Sequence, residues 1–411
     1  MSQYANWTKD ALIARITALE NAVPAGPANP GPASAAPAAA PAATPAVPAK
    51  KKKGIDFSKF AKRRVAIRFA YLGWNYHGLA FQKDGHTTVE GEIIRALHKT
   101  RCIPTLDPAD CNFSRCGRTD ADVSAMAQVI SLDLRSQLSG ADLEDAQNDS
   151  RELDYLKILN SNLPADILAY QICLRPPQDF DARFSCLSRH YHYHFLGTGL
   201  DLAAMQDAAR RLVGEHDFRN MCKIDGSKQI TNFRRRVLSA EIVERGDGMC
   251  YLSLKGTAFL WNQVRSIMAI LLLVGQRREQ PAIIDRLLDV EATPQRPVYE
   301  IAWGVPLTLY NCEFPPMAWQ SSTYTLPDSL YNLWYETLQK QAMTDTMLSV
   351  IAPHARPLEF ADRANVGRGV GNRASKYVPL EQRAVCDAPE DVNRKWLEKK
   401  SKNRNASVQD N

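Results

Sequence analysis

The chain of 411 residues carries 51 Lys and Arg against 45 Asp and Glu, a formal charge of +6, and 45% of its residues are hydrophobic. That length and apolar content place it among soluble globular proteins able to bury a large core, with room for two folded units plus extensions. The mild basic excess permits an RNA partner without requiring one. Nine cysteines, at 102, 111, 116, 173, 186, 222, 250, 312 and 386, form no C-x-x-C pair and have no His at metal-ligand spacing, so neither a zinc site nor a disulfide framework is expected. Their scatter fits a reducing compartment, where free Cys acts as a small core residue. The N-terminus is polar and reads as no signal peptide, and the longest apolar run, 267–274, is too short to span a bilayer.

Taken in chain order, residues 7–21 place Leu12, Ile13, Ile16 and Leu19 at helical spacing, a short amphipathic helix that is either marginal or partner-binding. Residues 23–49 are nearly all Ala, Pro and Gly and read as an extended linker. Lys50, Lys51, Lys52 and Lys53 follow, readable as a nuclear address, a phosphate-binding patch or a solvated charge run. The folded part begins near Arg63, where Val65, Ile67 and Phe69 alternate with Arg64, Ala66 and Arg68 in a strand that ends in an aromatic, glycine-bearing turn over 71–78. Thr87 and Glu90 form a capping-box pair ahead of a helix carrying Ile93, Ile94 and Leu97.

The run CGRTDADVSA, 116–125, comes next, followed by QVISLDL, in which Ile130, Leu132 and Leu134 alternate with Ser131 and Asp133 as in a half-buried strand. A helix through Leu156 and Ile158 leads to LNSNLPAD, 159–166, and a strand over 167–174. In 189–195, Tyr191, Tyr193 and Phe195 would share one strand face and His190, His192 and His194 the other. A helix over 202–213 is stopped by Gly214, strands follow at 236–243 and 251–254, and a helix over about 258–275 is apolar nearly all round in its second half, which predicts burial. Beyond about 318 the pattern weakens: one more helix fits 330–348, while the basic segment 362–376 and the Lys-rich end 394–411 are expected to be disordered. The repeated order strand, helix, strand, strand suggests two similar α+β units, dividing the chain into an N-terminal arm 1–60, halves 61–195 and 196–318, and an extension 319–411.

Three residues stand out chemically. Asp120, after Arg118 and Thr119 at the lip of a strand, should stay ionised beside a cation and is a candidate nucleophile, although an Asp can equally cap a turn. Tyr191 is either core packing or a site aromatic. Arg265 sits on an otherwise apolar helix, where an unpaired guanidinium is costly unless it finds a partner or snorkels to the surface.

The motif around Asp120 resembles that of TruA-type pseudouridine synthases, as do FDARFSCLSRHYHYHF at 180–195 and GTAFLWNQVR at 256–265. Further similar segments are 71–78, 159–166 and GEHDF at 214–218, so the resemblance covers roughly 62–312. Within the family the likeness is nearest to the eukaryotic tRNA pseudouridine-38/39 synthases, through SRCG before the RTD, VSA and QVISLDLRS after it, and YVPL at 377–380. The resemblance implies two ferredoxin-like, RRM-like halves with antiparallel sheets flanking a central basic cleft, a cofactor-free and metal-free reaction, and tRNA as partner. It further implies a homodimer found in nucleus and cytoplasm.

By the same resemblance, Asp120 attacks the target uridine, Tyr191 stacks on its base and takes a proton, Arg265 pairs with the carboxylate, and Arg118 fills the gap left by the flipped base. Arg183, Phe184, Arg189, Arg234, Arg235 and Arg236, with Lys50 to Lys53, would meet the substrate. One departure is Asp122, where the family has Gly. Asp is among the few residues that tolerate a positive φ, so an active synthase and a tRNA-binding protein with weakened chemistry both stay open.

Overall fold

Strand β1 (Lys62–Tyr71) buries Val65, Ile67, Phe69 and Tyr71, the alternation expected of its sequence. Its antiparallel neighbour β3 (Ser124–Arg135) differs from expectation: it is buried on both faces at nearly every position rather than half-exposed. The reason is visible at Ser131, whose hydroxyl is completely buried and accepts from Arg64 Nη2 at 2.9 Å and from the Ala182 amide at 3.1 Å. Polar residues thus enter the interior already partnered.

The computed structural model describes residues 55–246, 248–321, 328–355 and 377–409, with 363–364, 367 and 372–373. The N-terminal helix, the linker, Lys50 to Lys53 and most of the basic segment 362–376 lie outside the described residues. From residue 55 onward the chain forms a single unit.

The other strands of the main sheet are β2 (Ser114–Arg115), β4 (Ile167–Cys173), β5 (Ser188–Leu196), β6 (Gly214–Asp217), β7 (Arg234–Glu244), β8 (Met249–Gly256), β9 (Leu307–Glu313) and β10 (Gln320–Ser321). They form one sheet in the order β10-β4-β1-β3-β9-β5-β8-β7-β6, with β2 beside β3. The α+β expectation is met, and the two halves are fused edge to edge. The seam is β9, which returns late in the chain, pairs parallel to β3 through Ser124 with Thr308 and Ala125 with Leu309, and pairs antiparallel to β5 on its other side. This insertion leaves neither half-sheet an open inner edge. Strand β5, assigned from sequence to the end of the first half, is flanked on both sides by strands of the second.

Each half has its own core. In the first, β1 packs against α1 (Val89–Lys99) through Ile93, Ile94 and Leu97. Thr88, not Thr87, caps α1 by accepting from the Gly91 amide, and Glu90 turns inward to accept from the Phe81 amide at 2.8 Å and to pair with Arg115. The predicted capping box is therefore replaced by a buried carboxylate that ties the helix to the loop and to β2. A short α2 (Tyr155–Asn160) adds Tyr155, Leu156 and Leu159 to this core.

In the second half, α3 (Leu202–Arg210) and α4 (Gln263–Gly275) cover Tyr193, Phe195, Leu252 and Leu254. Every residue of α4 is buried except Arg265. A fully buried Leu or Ile side chain contributes about 1.5–3 kcal/mol, so the apolar run of α4 fixes this helix firmly and Arg265 with it.

The C-terminal extension is more ordered than its composition suggests. Helix α5 (Asp328–Ile351) has no buried residue, but α6 (Pro389–Gln409) docks on the body. Its Trp396 Cβ and Val392 carbonyl lie 2.9 Å from where a side chain on Gly226 would begin, and Asn393 Nδ2 donates to the Ile230 carbonyl at 3.1 Å. Tyr377 donates to Glu279 at 2.5 Å, and Leu380 is completely buried in the second core. A polar, Lys-rich sequence hides such docking because three or four contact residues suffice. Among the described residues no helix is long and apolar enough to cross a membrane.

Candidate active site

Asp120 stands in the turn between β2 and β3, and three glycines mould that turn. A Cβ on Gly73 would lie 2.1 Å from the Val123 carbonyl oxygen, one on Gly78 2.9 Å from that of Thr119, and one on Gly304 2.9 Å from that of Ala121. Backbone against backbone at this distance tolerates no side chain. Hydrogen bonds complete the clamp. Thr119 Oγ1 and the Tyr71 hydroxyl lie 2.7 Å apart, the Gly73 amide donates to Ser124 Oγ at 3.0 Å, and the Asp122 amide to the Tyr76 carbonyl at 3.3 Å. Asp122 adopts φ +68°, the left-handed conformation that a glycine would supply, and the turn closes around it.

Arg265 reaches this turn from the first part of α4. Its Nη1 lies 3.8 Å from Asp120 Oδ2, its Nε donates to the Ala302 carbonyl at 2.7 Å, and Nη1 also meets Asn262 Oδ1 at 3.4 Å. The predicted Arg265–Asp120 pair is therefore present. Trp261, which sequence reasoning passed over as a site residue, donates its indole N–H to Asp120 Oδ1 at 3.1 Å. Lys223 flanks it: its ammonium lies 4.9 Å from the Trp261 ring centroid and its amide donates to the Trp261 carbonyl. The signal for Trp261 was its place in GTAFLWNQVR, whereas nothing local marked Lys223.

The balance of influences on Asp120 differs from expectation, because burial outweighs the neighbouring cation. Burial raises its pKa above the ordinary carboxylate value, and Arg265, the Trp261 hydrogen bond, Arg118 and Lys223 oppose that rise without cancelling it. The adjacent Arg118 is only the third of these opposing influences, because it is exposed to water. A carboxylate held up by burial and rescued by a cation is a poorly solvated, reactive anion.

Tyr191 is half-buried and packs against both cores, its ring edge-on to Phe259 at 5.2 Å between centroids. Burial pushes its phenol far above the usual range, with Cys312 and Cys116 adding to the effect. Tyr193 and Phe195 are buried on the same face, as the alternation predicted. The opposite face of β5 holds the imidazoles: His192 stacks on Tyr310 at 3.9 Å, and His190 Nε2 lies 2.8 Å from Ser253 Oγ. Burial and its two His neighbours push His192 down to about 4, so this row is not a cationic surface at neutral pH.

The other predicted substrate contacts divide. Arg118 and Arg183 are exposed, and Arg183 lies over Phe184, a ring 80% exposed, at 5.3 Å. Arg234 pairs with Glu215 at 3.0 Å while remaining exposed, and Arg236 is exposed. Arg235 is half-buried and donates to the Asn232 and Arg234 carbonyls. The guanidinium of Arg189 donates to the carbonyls of Cys186, Thr257, Cys116 and Arg183 and so holds the Asp120 turn to the adjoining loop. Lys50 and Lys51 lie outside the described residues.

A half-buried carboxylate with a cation at one oxygen and an indole donor at the other, beside the exposed Arg118 and Trp261, suits nucleophilic chemistry on an anionic polymer. A sequence profile described as "tRNA pseudouridine synthase" matches residues 208–315. The tRNA pseudouridine(38/39) synthase of Saccharomyces cerevisiae is 47% identical over 97% of this chain and 93% of its own length. The chain belongs to the tRNA pseudouridine synthase family. It is thus an isomerase acting on uridine in tRNA. The human tRNA pseudouridine(38/39) synthase is 42% identical, covering 73% of this chain and 66% of the human protein, and tRNA pseudouridine synthase A of Methanococcoides burtonii is 31% identical over 73% and 98%.

Proposed function

We propose that the protein converts uridine to pseudouridine at positions 38 and 39 of the tRNA anticodon arm, with Asp120 as nucleophile. The observation that carries the role of Asp120 is its position in a glycine-moulded turn 3.8 Å from Arg265, with its other oxygen accepting from Trp261. The target positions follow from the names of the yeast and human relatives.

The reaction breaks the C1′–N1 bond and makes a C1′–C5 bond. The Asp120 carboxylate attacks C1′ and uracil leaves with the N1 electron pair; after the base turns over, C5 bonds to C1′ and Asp120 departs. The C5 proton must then leave and N1 must gain one. Tyr191, whose phenol is neutral at ordinary pH, serves as a stacking surface and as a relay whose oxygen accepts the C5 proton while its own proton passes to solvent, from which N1 takes one up. Arg265 keeps the carboxylate charged and oriented, and Arg118 occupies the space of the extruded nucleotide. Arg183, Phe184, Arg234, Arg235 and Arg236 contact the RNA around it. As parts of the same reading, the protein acts as a homodimer, without cofactor, in nucleus and cytoplasm.

The test is incubation with an unmodified tRNA transcript followed by pseudouridine mapping. Product at 38 or 39 with none from Asp120→Asn is expected. A folded protein that leaves the anticodon arm unmodified would sink the proposal.

A further inference from the structure

Three of the nine cysteines meet at one point that the Asp120 chemistry does not use. Cys116 precedes the Asp120 turn, Cys186 lies in the loop before β5, and Cys312 is on β9. Their sulfurs all lie within 4.8 Å of one another, with Cys116 and Cys312 at 3.2 Å. Cys116 and Cys312 are 1% exposed, whereas Cys186 is half-buried and gives the cluster an open side. Cys116, Cys186 and Cys312 take part in no disulfide. The spacing 116, 186, 312 has no metal-binding signature because each thiol comes from a different element.

We propose that Cys116, Cys186 and Cys312 form a site for one thiophilic divalent d10 ion, zinc in the cell. Zinc binds thiolate sulfur at about 2.3 Å, which sets three such ligands roughly 4 Å apart around a shared ion. Cys116 and Cys312 at 3.2 Å, with every pair within 4.8 Å, match the order of that spacing. Charge selects the valence. Three thiolates and a divalent ion leave one net negative charge, and the Arg189 guanidinium, which donates to the Cys116 and Cys186 carbonyls at 2.9 and 3.4 Å, balances it. A monovalent soft ion would leave an uncompensated charge in a mostly buried site. Among the described residues no fourth His, Cys or carboxylate joins the cluster, so the fourth position opens on the Cys186 side. An ion here would fasten the segment leading into Asp120 to β9 and to the loop bearing Arg183 and Phe184.

The test uses the full chain, reduced and stripped with a chelator, and titrates it with Cd2+ while following thiolate-to-metal charge-transfer absorbance, then displaces the Cd2+ with Zn2+. One tight equivalent is expected, with a rise in melting temperature on Zn2+ addition. Cys186→Ser, at the half-buried ligand, should fold and lose affinity by roughly 100-fold or more, while Cys386→Ser should bind like the parent. Thermal melts of the metal-free variants verify folding, so a missing signal is not mistaken for unfolding. Titration curves equal in Cys186→Ser and the parent would overturn the site, as would no charge-transfer band with all nine thiols reactive, or a Cys116–Cys312 disulfide in protein isolated under reductant.

Discussion

Replacing Arg265 by Gln removes a charge 3.8 Å from the Asp120 carboxylate. Coulomb's law at that separation gives about 4 kcal/mol for an effective dielectric of 20 and about 1 kcal/mol for bulk water. The two side chains are 18% and 32% exposed, so the pair belongs between these limits. At about 1.4 kcal/mol per pH unit, that span is roughly 1 to 3 units. The sign is fixed by the opposing influences on Asp120: burial raises its pKa and Arg265 is the largest force lowering it. Without Arg265 the pKa rises further, and the ionised nucleophile forms only at higher pH. The acid limb of kcat against pH should therefore move up by roughly 1 to 3 units, with activity below the new limb falling about tenfold per unit. Release of tritium from C5 of uridine in tRNA measures the rate directly, since that hydrogen must leave. Arg265→Lys restores the charge without the planar guanidinium and should bring the limb most of the way back. If Arg265→Gln lowered the rate equally at every pH, the charge argument would be refuted and Arg265 would act by position alone.

Asp120→Asn should abolish product yet raise stability at neutral pH. A carboxylate whose folded pKa is raised contributes fully to stability below its ordinary value and loses that contribution as pH rises from there through the raised folded pKa, so the gain over the parent should open over that window and vanish in acid, as followed by urea melts. Asp122→Gly should leave turnover equal to the parent and change stability by less than about 0.5 kcal/mol, because relief of the left-handed backbone is offset by glycine entropy. Asp122→Val, with a β-branched side chain at φ +68°, should lose roughly 1–2 kcal/mol; a faster Gly variant would instead show that Asp122 weakens catalysis. Gly73→Ala pushes a methyl into the Val123 carbonyl, and a displacement of the turn by about 1 Å should lower kcat on the order of 100-fold with the fold intact by circular dichroism.

The sequence alone determined the parts whose signals are local. Alternation placed β1 and β5, and an unbroken apolar run foretold the burial of α4 and hence the demand of Arg265 for a partner. The motif at 116–125 marked Asp120, and the tolerance of Asp for positive φ anticipated the backbone of Asp122. What only the tertiary structure decided depends on groups far apart in the chain. The net rise in the Asp120 pKa is set by how much water the fold excludes, which no neighbour in sequence reports. The tie that Arg189 makes to four carbonyls from separate segments has no local signal either. The fusion of two half-sheets by β9, the docking of α6 on the Gly226 loop and the meeting of three cysteines all arise from long-range pairing. Periodicity tells which face of an element seeks cover, and only the folded chain says what covers it.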